Sequence, residues 1–98
     1  MTDPSKRAQA SKRRGPASLV RWIEVQKRRI GNCVRAHREQ RGLTRVVAAK
    51  AIGIHHIHLA KIELGHANIT LATMVSIANA FDLELRSFFH SPPNDCGG

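Results

Sequence analysis

Residues 43–65 read LTRVVAAKAIGIHHIHLAKIELG, and this stretch decides the fold. It divides into two short helices joined by a tight turn. Thr44 is a capping residue placed directly before the first helix. Gly53 sits where the chain must reverse, and Gly65 closes the second helix. Ala49 is small where the two helices cross. Ile54, Leu59 and Ile62 fall on positions that point inward. Two helices so joined, the second with a polar outer face, form the helix-turn-helix that presents a helix to the DNA major groove.

Working outward, the helical pattern continues on both sides. Leu19, Trp22, Ile23, Gln26, Ile30, Cys33, Val34 and His37 recur at steps of three and four, predicting helix over 18–41. Ser18 is the N-cap candidate and Gly42 the terminus. Gly31-Asn32 leaves open one long helix or two, at 18–29 and 30–41. The central unit spans 44–52 and 55–64, followed by a loop at 65–69. Thr70 then caps a helix to about Phe81, with Leu71, Met74, Val75, Ile77, Ala78 and Phe81 inward. A short helix near 84–89 contributes Leu85, Phe88 and Phe89. No stretch alternates with a strand period, so the fold class is all-α around one core. Residues 1–17 form a basic arm too polar to order itself, suited to phosphates or a minor groove, or else a solubilising tail. Residues 91–98 read as a flexible tail.

The charge is lopsided. Residues 1–45 carry 13 basic and 3 acidic side chains, whereas 46–98 carry 3 and 4. A basic half on a small protein points to a polyanion, nucleic acid before an anionic membrane surface. With 98 residues the chain is expected to be one domain with a modest core. No stretch is a signal peptide or a membrane span, so a cytoplasmic location is expected. Cys33 and Cys96 form no CxxC unit, which argues against a zinc site or a disulfide framework. Cys33 reads as a small buried or boundary residue on a helical face, and Cys96 as a free thiol.

From Ile30 to Phe89 the chain resembles the lambda-repressor/Cro-like helix-turn-helix family, also called the xenobiotic-response-element (XRE) family. The matching residues are Gly42-Leu43-Thr44, Ala49, Gly53-Ile54, Leu59, Ile62-Glu63, Gly65, Asn68, Leu71, Ile77-Ala78, Ala80 and Leu83. The resemblance implies a five-helix domain over 30–90, preceded here by an extra N-terminal helical segment at 18–29. It also implies operator binding as a homodimer. Arg38 and Glu63 match the family's internal ion pair, a structural role. Base readout would come from His55, His56, Ile57, Ala60 and Lys61. An imidazole can donate to guanine, and Ile57 could meet a thymine methyl. Phosphate contacts would come from Thr44, Arg45, His66 and Asn68. A cationic His56 on the DNA would make binding strengthen as pH falls from about 7.5 to 6.

Several positions depart from the family. Arg45 replaces the usual Gln, Ala48 a Leu, and His37 an apolar residue. Val46 and Val47 replace polar residues, so something is expected to cover them, with the segment Leu19–Arg29 of the same or a partner chain as the candidate. His55, His56, His58 and His66 raise a metal site, but no carboxylate or cysteine completes a tetrahedral set. No Ser/His/Asp grouping, free carboxylate pair or phosphate loop supports an enzyme, and no cofactor is implied. The sequence therefore predicts a dimeric repressor or autoregulator reading double-stranded DNA, palindromic by symmetry. The alternative is an antitoxin-type module that also grips a protein partner such as a toxin. No large C-terminal sensor domain is visible, so small-ligand sensing is not expected.

Overall fold

The computed structural model describes residues 15–89. Most of the basic arm, and the tail at 91–98, lie outside the described residues. Four α-helices follow one another: α1 (Pro16–Gln40), α2 (Arg45–Ile52), α3 (His56–Glu63) and α4 (Leu71–Phe81). A 3-10 turn at Leu85–Phe89 follows α4. No strand occurs among the described residues.

α1 begins earlier than its capping pattern predicts. Gly15 is the N-cap and Pro16 opens the first turn, while Ser18 lies inside the helix and caps nothing. A proline at this position loses only an N–H that has no helical partner, and its fixed φ already suits the helix. The helix then runs unbroken through Gly31-Asn32 for 25 residues. The extra N-terminal segment and the first helix of the domain are thus one element. Together with the 3-10 geometry of the last segment, this leaves four α-helices where five and an extra segment were expected.

Gly31 is not a break but a crossing. A Cβ there would overlap the Ile62 carbonyl oxygen and stand 2.8 Å from that of Glu63. The absent side chain lets α1 lie directly on the last turn of α3. This close approach offsets the roughly 1 kcal/mol that glycine costs inside a helix.

Side chains start the three short helices. Thr44 Oγ1 accepts the Val47 N–H at 3.2 Å, and Thr70 Oγ1 accepts the Thr73 N–H at 3.1 Å. His55 is the N-cap of α3 rather than its first residue, and its Nδ1 accepts the Ile57 N–H at 3.2 Å. Gly53 ends α2 with φ 93°, a left-handed conformation open to glycine.

The core holds Val34 and Cys33 of α1, Leu59 and Ile62 of α3, and Ile77 and Phe81 of α4, all fully buried. Ala48 and Ala49 of α2 and Phe88 of the 3-10 turn are buried in the same core. Leu71 and Val75 are exposed, not inward. α4 buries the stripe Met74, Ile77, Ala78 and Phe81, and these two residues fall off it.

His37 occupies its family-apolar position as a buried ring stacked on Phe81. Arg41 lies over the same phenyl ring, with its guanidinium carbon 4.9 Å from the centroid, and donates to the carbonyls of His37 and Phe81. Burial, and then the Arg41 charge, push the His37 imidazole below its ordinary pKa. The neutral ring therefore behaves as an aromatic core residue.

The amino-terminal half of α1 projects. Leu19, Val20, Trp22 and Ile23 are all exposed. Val46 and Val47 are also exposed, and nothing among the described residues covers them. The segment Leu19–Arg29 of the same chain is therefore not their cover.

Candidate nucleic-acid interface

α3 is held at an angle set by one carboxylate. Glu63 is buried, with its side chain 1% exposed. Arg38 of α1 donates to it through Nε at 2.6 Å and Nη2 at 3.0 Å, in the bidentate geometry that guanidinium matches to carboxylate. Arg45 of α2 donates to the same group through Nε at 3.0 Å. The remaining Arg38 nitrogen, Nη1, donates to the Leu43 carbonyl at 2.9 Å, tying in the α1–α2 turn. Three helices thus meet on Glu63. The Glu63 hydrogen bonds hold the Arg38 guanidinium above its ordinary pKa range.

With its inner face so fixed, α3 turns Ile57, His58 and Lys61 to solvent. His55, Ile57, His58 and Lys61 line one side of a shallow groove of about 430 Å³. Ala67 and Asn68, from the loop after α3, line the other side. The loop turns back because Gly65 adopts φ 78°. The His66 N–H then closes onto the Lys61 carbonyl at 2.8 Å.

The fold gathers some of the sequence-predicted residues and separates others. His55, Ile57, Lys61 and Asn68 share the groove. His56 is exposed but stacks on His55, with centroids 4.6 Å apart, and does not line it. Ala60 is half-buried and His66 is exposed in the loop. Thr44 is exposed and spends its hydroxyl on the α2 cap. Arg45 is partly drawn back by Glu63, with its side chain 40% exposed. His58 also lines the groove, although the expected base-readout set does not include it. Its signal was the spacing His55, His58, Lys61, one helical turn per step. Among the described residues no three of His, Cys, Asp or Glu converge to hold a metal ion.

A model of helix-turn-helix domains matches residues 34–88, more than half of the chain. The chain belongs to the Cro/lambda-repressor-like, XRE-type helix-turn-helix family. This is a DNA-binding family and not an enzyme family, which supports a DNA-binding regulator in general. A comparison with curated proteins finds no match. No helix among the described residues is long and apolar enough to cross a membrane.

Proposed function

We propose that this helix-turn-helix protein is a sequence-specific transcriptional repressor or autoregulator that binds a palindromic operator as a homodimer. Its α3 enters the major groove. The observation that carries this reading is the outer face of α3. Ile57, His58 and Lys61 project from a helix whose rear is locked by Glu63, beside a loop that offers Asn68. An apolar group, an imidazole and an ammonium on one face can read a thymine methyl, a guanine edge and a guanine or phosphate. His55, with its Nδ1 engaged as the cap, also lines the same groove. Arg45, Thr44 and His66 supply phosphate contacts around it, and the exposed His56 adds to the readout. Two-fold symmetry would place two such helices about 34 Å apart.

A second reading has its own observation. The exposed row Leu19, Val20, Trp22 and Ile23 fits an antitoxin-type module that also holds a protein partner. Selection of binding sites from random duplex DNA, with stoichiometry measured on the selected site, tests both. A palindrome bound by two chains supports the homodimeric regulator. Recovery of no preferred sequence refutes sequence-specific readout.

A further inference from the structure

The cations of α1 are not alike. Lys27 is engaged by Glu24 at 3.3 Å and Arg35 by Glu39 at 3.0 Å. Among the described residues, no carboxylate pairs with Arg21 or Arg28: Glu24, one turn from each on the same side of α1, is turned to Lys27 instead. Seven residues make nearly two helical turns, so Arg21 and Arg28 share a face, about 10 Å apart along the axis. Leu19 and Ile23 fall on the opposite face.

The free basic face is placed by Gly65. A Cβ on Gly65 would stand 2.8 Å from Arg28 Cγ and 3.1 Å from its Cα. The Arg28 stem therefore rests on the residue that turns the chain from α3 into the loop of His66, Ala67 and Asn68. That loop forms one wall of the α3 groove. The basic face of α1 thus starts beside the root of that loop, at Gly65, and continues away from it to Arg21. The helix carrying it is unbroken, and Gly31 anchors it against α3.

We propose that Arg28 and Arg21 form a second DNA-binding element, a helical rail that contacts backbone phosphates beside the major groove entered by α3. The proposal rests on the DNA-reading role of α3 and extends it. The rail carries affinity and no base preference, because guanidinium groups on phosphates are indifferent to sequence. A basic amphipathic helix can also lie on an anionic membrane. Seating of the Arg28 stem on Gly65, where the loop that walls the α3 groove begins, favours DNA.

The test uses the full chain and a duplex selected for wild-type binding, with affinity measured across a salt series. Each lost phosphate contact lowers the slope of log K against log salt by roughly 0.9. Arg28→Gln, which keeps part of the stem on Gly65, should lower it by about one such step, and Arg21→Gln/Arg28→Gln by about two. Base preference should be unchanged, and Arg28→Lys should retain most of the slope. Arg86→Gln, which removes a cation paired with Glu84 on the 3-10 turn, controls for net charge and should leave the slope alone. A double variant with the wild-type slope overturns the rail while leaving α3 readout standing. So does an Arg86→Gln slope that falls as far as that of Arg28→Gln. Binding to phosphatidylserine vesicles that is lost in the double variant, with an unchanged DNA slope, also overturns it. Wild-type chain that binds no duplex overturns both the rail and the reading on which it rests.

Discussion

Replacing Gly31 by alanine sets helix propensity against packing, and the two effects have opposite signs. In an isolated helix the change is worth about 1 kcal/mol in favour of alanine. In this fold the new methyl overlaps the Ile62 carbonyl oxygen, approaches the Glu63 oxygen at 2.8 Å and lies 3.0 Å from the Glu63 carbonyl carbon. All three are backbone atoms, so no rotamer change relieves the overlap. The helices cannot simply part, because Arg38 and Glu63 bridge them at 2.6 Å and Val34 of α1 and Leu59 and Ile62 of α3 are fully buried in one core. Overpacking of this kind costs about 1–3 kcal/mol, and a rigid backbone neighbour places it at the upper end. The net expectation is a loss of about 2 kcal/mol, with the packing cost outweighing the propensity gain. For a domain of this size that lowers Tm by roughly 10 °C. Asn32→Ala, the exposed neighbour in the same helix, gains propensity without the overlap and should be neutral or stabilising. Thermal and urea unfolding of the pair give the answer. A Gly31→Ala protein as stable as wild type would refute the close crossing of α1 on α3.

Three further outcomes follow from the same contacts. Glu63→Gln should cost about 3 kcal/mol in urea unfolding, since it leaves Arg38 without its buried counter-charge and with only the exposed Glu39 at 4.0 Å; Arg45→Gln, touching only the half-exposed partner, should cost under about 1 kcal/mol. His55→Ala should lose about 1 kcal/mol by removing the α3 cap, and His55→Asn should recover most of it; equal melts for the two variants would exclude the cap. Because the folded-state pKa of His37 is lowered, its neutral form is favoured by folding. Its contribution to stability is complete above the unfolded value of about 6.5 and is lost as pH falls towards the folded value. Tm should therefore fall more steeply below about pH 6.5 in wild type than in His37→Leu, and parallel curves would remove the burial argument.

Much of the architecture was legible locally. Thr44, Thr70, Gly42, Gly53 and Gly65 mark helix ends because caps and left-handed turns depend on the residue itself and its immediate neighbours. The apolar spacing of Leu59, Ile62, Ile77 and Phe81 marks the core for the same reason. Local rules misled at Ser18, where Pro16 starts the helix earlier. They also misled at Leu71 and Val75, whose apolar character did not bring them into the stripe α4 buries.

By itself the sequence determined an all-helical chain, a helix-turn-helix at 43–65 and a basic amino-terminal half, since periodicity, capping and charge are properties of short segments. Only the tertiary structure decided what Gly31 is for. A glycine in a helix reads as a weakness until the carbonyls of Ile62 and Glu63 are seen against it. The tertiary structure also decided that Glu63 serves Arg45 as well as Arg38, and that His58, not His56, shares a groove with Lys61 and Asn68. Such facts depend on which elements meet in space, and meeting depends on packing between residues far apart in the chain.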